Sequence, residues 1–207
     1  MFEFDYQKEK KKDRLVTVIL LVAAMLLAFY ALNAQDKYIV HCNPQLLISS
    51  EKIMLAQVGV KEKTGHNDGV EVEQYLASVG LSKGNPYCAA GQYWCFHESC
   101  FYLKLPLQDI PIARTGLANG IYNGAKNDGV KVSYKANRHD LIVWKLHEKS
   151  TGHIERIYQS SVGGNVYCVG FNTGLNVRDG QGVAKTKRNI YHPIGRLQVR
   201  GLVGFHG

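Results

Sequence analysis

The sequence contains no Cys-x-x-Cys pair, which argues against a thiol oxidoreductase. Its cysteines and histidines also avoid metal-ligand spacing. The tightest group, Cys95-Phe96-His97, is too close for a usual zinc pair, so neither a metal nor another cofactor is expected. Internal repeats and low-complexity tracts are absent, which excludes a solenoid or a disordered tether as the main architecture. Charge is missing from one long stretch, Leu15 to Ala34 (LVTVILLVAAMLLAFYALNA). Residue 35 is Gln, so the cysteine that would carry a lipid after a cut at Ala34 is lacking.

An uncharged run of this length suffices for a helix to cross ~30 Å of hydrocarbon. Basic residues lie directly before it, so the positive-inside rule puts residues 1–14 in the cytoplasm and the rest of the chain outside. Two readings remain open, an uncleaved single-pass anchor and a cleaved signal peptide. The length of the run favours the anchor, because signal cores usually span ~7–15 residues. Either way the domain is exported to the periplasm or the cell surface. The expected layout is a cytoplasmic tail over 1–14, an anchor or signal segment over 15–34, a linker over 35–49 and a single domain over 50–207. The chain of 207 residues has a net charge of +8, of which the tail holds +1. A basic surface suits anionic partners such as wall polymers, lipid heads or nucleic acid without choosing among them, and serves equally as a solubility charge.

Five cysteines, Cys42, Cys88, Cys95, Cys100 and Cys168, face an oxidising compartment, and the odd number leaves at least one thiol without an intramolecular partner. Along the chain, Ser49 and Ser50 are expected to cap a helix through EKIMLAQV, with Gly59 at its stop. A second helix is expected over Val70 to Val79, with Val72, Tyr75, Leu76 and Val79 as its apolar stripe. A third starts after Pro86 (CAAGQYWCFHE), and PIARTGLANGIYNG is a weaker fourth. Beyond residue 130 come KVSY, DLIVWK, HIERIYQ, NVYCVGF, TKRNIY and RLQVRGLVGF. These short runs of β-branched and aromatic residues predict a small antiparallel sheet. Helices first and strands afterwards give an α+β class.

Three residue types in this pattern point to nucleophilic chemistry. Cys88 opens a helix, where the helix N-terminus and a nearby imidazolium favour the thiolate. His153 opens a strand behind Gly152, and alternation places His153, Glu155 and Ile157 on one face. Asn172 ends the next strand and could hold the far ring nitrogen. Buried filler, a chance histidine and a turn asparagine are the competing readings of these three.

These residues also carry a resemblance. The stretch Ala56 to Trp94 is similar to the start of CHAP-domain peptidoglycan hydrolases, with helix, Asn67-Asp68-Gly69 turn, second helix and Pro86-Tyr87-Cys88-Ala89 in order. His139-Asp140-Leu141-Ile142-Val143-Trp144 resembles that family's Gly-Asp-hydrophobic strand, Gly152-His153 its Gly-His motif, and Gly170-Phe171-Asn172-Thr173 its Glu-Gly-Asn-Thr segment. Asp179-Gly180-Gln181-Gly182-Val183 and Lys187-Arg188 look like the ends of relatives. The resemblance covers about residues 50–195. It implies a papain-like core in which N-terminal helices pack on the small sheet. It further implies a cysteine hydrolase that acts as an amidase or endopeptidase on peptidoglycan. Taken with the apolar run at 15–34, the expected partners are peptidoglycan and, through the one helix, the membrane, with no nucleic acid.

Two departures stand out. The acid expected before Gly-Asn is Gly170 here, and Glu155 is a candidate substitute. Ala89-Ala90-Gly91 follows the cysteine where a bulkier residue is usual, which predicts a looser helix. An inactive, membrane-tethered peptidoglycan-binding module is therefore the alternative to the enzyme.

Overall fold

The computed structural model describes residues 12, 14–25, 35–176 and 180–207. The chain divides into two units, residues 1–34 and 35–207. In the first, residues 14–25 are helical and their side chains are exposed. No helix among the described residues is long and apolar enough to cross a membrane, which overturns the expected transmembrane helix at 15–34. Residues 26–34 of that segment and nearly all of the 1–14 tail lie outside the described residues.

The second unit is α+β, but its sheet is neither small nor purely antiparallel. Seven strands form it: β1 (Asp36–His41), β2 (Val130–Val132), β3 (Leu141–Lys145), β4 (Gly152–Ser160), β5 (Asn165–Asn176), β6 (Gly180–Asn189) and β7 (Gln198–His206), in the order β2-β1-β7-β3-β4-β5-β6. β1 runs parallel to β7 and all other neighbours are antiparallel. The small sheet of a papain-like core is thus replaced by a larger mixed one. The reason lies in residues 36–41, expected as linker. DKYIVH buries Tyr38 and Val40 and pairs with the last strand, which inserts between β1 and β3.

Four helices accompany the sheet: α1 (Pro44–Ala56), α2 (Val70–Ser78), α3 (Cys88–Leu103) and α4 (Ala118–Asp128). α1 starts earlier than expected because Asn43 caps it, its side chain accepting from the N–H groups of Gln45 (2.8 Å) and Leu46 (3.4 Å), with Pro44 in the first turn. Ser50, expected as a cap, is instead buried within the helix, where its hydroxyl donates to the Leu47 carbonyl. α3 begins at Cys88 as expected. It runs unbroken to Leu103, so Cys95 and Cys100 cannot pair, and all five cysteines are free and buried. Its small residues do not loosen it. A Cβ on Gly91 would fall 2.2 Å from the Phe171 ring, so the glycine is what lets β5 press against the helix. The Gln92 side chain adds a hydrogen bond to the Val169 carbonyl (3.2 Å).

Strand β3 is buried on both sides. Leu141 and Val143 join a core with Phe96 of α3 and Ile121 of α4, while Ile142 and Trp144 join Val166, Ile190 and Leu202 on the other face. A third cluster, Val72, Tyr75, Leu76, Tyr87 and Phe171, seats α2 against the start of α3 and the end of β5. The start of α3 is therefore fixed from three sides.

Candidate active site

Cys88 is the first residue of α3 and its side chain is 5% exposed. No side chain caps this helix among the described residues, so its first-turn N–H groups lack a side-chain acceptor. Tyr87, immediately before it, is fully buried. Its hydroxyl donates to Glu62 Oε1 (3.1 Å) and accepts from the backbone N–H of Asn172. Glu62 Oε2 in turn accepts from the Asn67 N–H (3.1 Å). The Asn67-Asp68-Gly69 turn thus braces the residue next to Cys88, and Thr64 hydrogen bonds hold the Asp68 carboxyl below its usual value.

His153 lies near the start of β4, which pairs with β3 so that His153 stands beside Trp144, ring centroids 6.1 Å apart. One side of the ring bonds the Cys88 side chain. Nε2 donates to Glu155 Oε1 at 3.1 Å, which leaves Nδ1 as the nitrogen for the thiol. Burial disfavours the charged ring, but the hydrogen bonds to Cys88 and Glu155 outweigh it and raise the His153 pKa to about 9.

Glu155 is wholly buried. Besides His153 it accepts from the Thr186 hydroxyl and from Arg188, whose Nη2 reaches Oε1 at 2.6 Å and whose Nε reaches Oε2 at 3.1 Å. Burial pushes against ionisation, and the bonds from His153 and Arg188 more than reverse it, lowering the Glu155 pKa to about 2. A charged carboxylate at this depth is tolerable because every side of it is met by a donor.

Gly170 explains why the acid can stand on β4. It pairs directly with Glu155 in the sheet, and a Cβ there would lie 2.9 Å from Glu155 Oε1 and 3.0 Å from its carboxyl carbon. A side chain at 170 and the carboxylate of Glu155 compete for one volume.

The structure therefore brings Cys88, His153 and Glu155 together, and it is Glu155, not the Asn172 side chain, that bonds His153 Nε2. No hydrogen bond joins the Asn172 side chain to His153 among the described residues. Asn172 sits where the β5–β6 pairing slips, between Gly170 and Thr173, with φ of 50°. Asparagine tolerates that left-handed conformation better than most residues. Its contribution is to shape the bulge and to brace Tyr87 through its backbone. Asp140, part of the resemblance, is also structural: it is buried in an ion pair with Lys37 (2.6 Å), and burial raises its pKa to about 6 against that pairing. His139 is pushed down to about 4 by burial and by the Arg156 guanidinium, and lies apart from Cys88 in contact with Glu51. Asp179 lies outside the described residues.

Sequence reasoning missed Thr186 and Arg188 as partners of Glu155. The alternation of β6 could have placed both on one face, but nothing in the sequence paired β6 with β5 in the observed register. It also missed the cleft beside the thiol, about 480 Å³, between Leu81 and Pro86 on one side and Leu117 and Thr151 on the other. A larger groove of about 770 Å³ between α1 and α3, around Ile48 and Tyr102, holds none of these site residues. No cluster of three or more His, Cys, Asp or Glu that could hold a metal ion occurs among the described residues. Searches of protein families, curated proteins and solved structures found no match for this chain.

Proposed function

We propose that the protein is a cysteine hydrolase that cleaves an amide bond of peptidoglycan, with Cys88 as nucleophile, His153 as acid and base, and Glu155 as the group that orients His153. The observation that carries this reading is His153 bonded at once to the Cys88 thiol and, through Nε2, to a buried carboxylate. A base held between nucleophile and orienting group is the arrangement nucleophilic catalysis requires. The substrate class comes from the ordered resemblance of residues 50–195 to CHAP-domain hydrolases.

In this mechanism the Cys88 proton is held on His153 Nδ1, and the resulting thiolate attacks the amide carbonyl. The open N–H groups at the start of α3 meet the developing oxyanion. The C–N bond breaks as His153 returns its proton to the leaving amine, giving an acyl-Cys88 intermediate. A water molecule, deprotonated by His153, then adds to the acyl carbon and the thiol is regenerated. Glu155 stays ionised throughout and steadies the imidazolium.

The inactive-module alternative rested on Gly170. Since the space at Gly170 is taken by Glu155, that residue fits an active arrangement with the acid supplied from the neighbouring strand. Purified wall from several peptidoglycan chemotypes, digested and analysed by mass spectrometry for new amino termini, tests the reading. Wild-type protein is expected to release fragments, and Cys88→Ala and His153→Ala to release none while keeping the fold by circular dichroism. Together the two changes should be no worse than either alone. Wall binding without release by the wild type on every chemotype overturns the enzyme in favour of the binding module.

A further inference from the structure

His153 stands two residues beyond Thr151, where the turn joining β3 to β4 ends. That turn is on the surface, with residues 147–151 all exposed. Within the hairpin, the Leu146 N–H donates to the Thr151 carbonyl (2.9 Å) and the Lys149 N–H to the Leu146 carbonyl (3.2 Å). From outside the hairpin, one side chain among the described residues hydrogen-bonds to residues 146–151. Asn119, the second residue of α4, donates through Nδ2 to the carbonyls of Ser150 (2.8 Å) and Thr151 (3.4 Å). Ser150, Thr151 and Gly152 belong to the lining of the cleft beside Cys88.

Asn119 is itself buried and is held from behind. Arg200 of β7 donates through Nη1 to Asn119 Oδ1 (2.8 Å) and to the Asn119 backbone carbonyl (3.1 Å), and through Nη2 to Asn123 Oδ1 (2.5 Å). Its guanidinium lies over the Tyr122 ring, 4.4 Å from the centroid. The amide of Asn119 therefore works in both directions, accepting from β7 and donating to the turn. A carboxylate of the same size can only accept. Gly152 closes the arrangement. A Cβ there would fall 2.5 Å from the Trp144 carbonyl oxygen and 2.9 Å from Asn119 Nδ2. The chain thus enters β4, one residue before His153, pressed against the amide that holds the turn.

We propose that Asn119 is a positioning residue for His153: backed by Arg200, it ties the β3–β4 turn to α4 and so fixes the imidazole against Cys88. This rests on the reading of Cys88 and His153 as a working pair. It adds a residue from another element, which neither the resemblance nor the spacing of the sequence singles out. The ring must meet Cys88 on one side and Glu155 on the other. A base in that position tolerates little displacement, and a misplacement of about 1 Å can cost on the order of a hundredfold in rate. An exposed hairpin end opens locally unless something outside it holds it down.

The decisive variant is Asn119→Asp in the full-length protein. The new carboxylate keeps its pairing with Arg200, so the fold stays held on the β7 side. Toward the turn it offers an acceptor to two carbonyls, and the tether is lost. Hydrogen exchange at residues 146–151 should rise. The rate of Cys88 alkylation by iodoacetamide near neutral pH, read by peptide mass spectrometry, should fall about threefold to tenfold, and the His153 midpoint in an NMR titration of ring-labelled histidine should move down by about 0.5–1 pH unit. Tm should change little. On a peptide that the wild type cleaves, the loss should fall on kcat and leave KM nearly unchanged. Arg200→Gln, which leaves Asn119 in place without its backing, should move the same readouts in the same direction by less, and it decides the matter if Asn119→Asp does not fold. A loosened turn, or a lowered Tm, with the Cys88 rate and the His153 midpoint of the wild type shows a purely structural tether and overturns the inference. None of these readouts except the peptide assay needs a substrate. If they move as expected in a protein that releases no wall fragment, the positioning role stands and the hydrolase reading falls.

Discussion

Replacing Glu155 by Gln removes one negative charge from the centre of a buried network and changes its shape hardly at all. The wild-type surroundings of His153 raise its pKa from 6.5 to about 9, equivalent to about 3 kcal/mol in favour of the charged ring. Cys88 and Glu155 share that effect, so loss of Glu155 alone should lower the ring's midpoint by about 1–2 pH units. Stability suffers as well. Breaking a buried pair costs about 3–5 kcal/mol, and here the lower end applies because the Arg188 side chain is 23% exposed and can turn toward water. The pH dependence follows from the two shifts. A histidine raised in the folded state contributes fully below 6.5 and loses its contribution as pH rises through about 9. A carboxyl lowered in the folded state contributes fully above 4.5 and loses it as pH falls through about 2. One ion pair underlies both shifts, so their energies do not add. The stability advantage of wild type over Glu155→Gln should be greatest between pH 4.5 and 6.5. An NMR titration of ring-labelled histidine, with His153 assigned by the His153→Ala variant, reads the midpoint directly. Chemical denaturation at several pH values reads the stability. A midpoint that stays near 9 in Glu155→Gln, or that drops in Asn172→Ala instead, refutes the assignment of Glu155 as the orienting group.

Gly170→Ala places a Cβ within 3 Å of the Glu155 carboxylate, so it should lower Cys88 reactivity toward iodoacetamide severalfold and move the His153 midpoint down in the same NMR titration. An unmoved midpoint would show that the strand gives way without disturbing the acid. Gly91→Ala drives a methyl into the Phe171 ring and should cost about 1–3 kcal/mol by thermal or chemical unfolding. An unchanged Tm would mean that α3 and β5 are not held as tightly as their contact suggests. Lys37→Met leaves Asp140 buried without its cation and should destabilise by about 3–5 kcal/mol near neutral pH, whereas Lys37→Met combined with Asp140→Leu should recover part of the loss. If the double variant is as unstable as the single one, the cost lies in packing and not in the stranded charge.

The sequence by itself determined the local elements and where Cys88 and His153 stand in them. Helical spacing and the Pro86 start signal put Cys88 at the head of α3, and the β-branched run after Gly152 put His153 near the start of a strand. Those signals act over a few residues, where backbone sterics and capping decide the outcome. The N-terminal boundary failed for a local reason too. Asn43-Pro44 is a stronger helix start than Ser49-Ser50, and DKYIVH, a short run resembling a linker, becomes a strand only because the end of the chain supplies β7 as its neighbour. That pairing joins residues more than 160 positions apart, and no periodicity encodes it.

Only the tertiary structure decided which side chain meets His153 Nε2. Glu155 is two residues from His153 in sequence, yet its role depends on Gly170 leaving room across the β4–β5 ladder and on Thr186 and Arg188 arriving from β6. Asn172 was the natural candidate by sequence, because an asparagine after a strand can hold an imidazole as readily as it can turn a chain. Strand register settled the matter: a slip between Gly170 and Thr173 put its backbone against Tyr87, and the direct pairing of Gly170 with Glu155 put a carboxylate on the ring. A side chain's chemistry is written in the sequence, whereas the partner it meets is fixed by register, since a shift of one residue turns every side chain to the other face of the sheet.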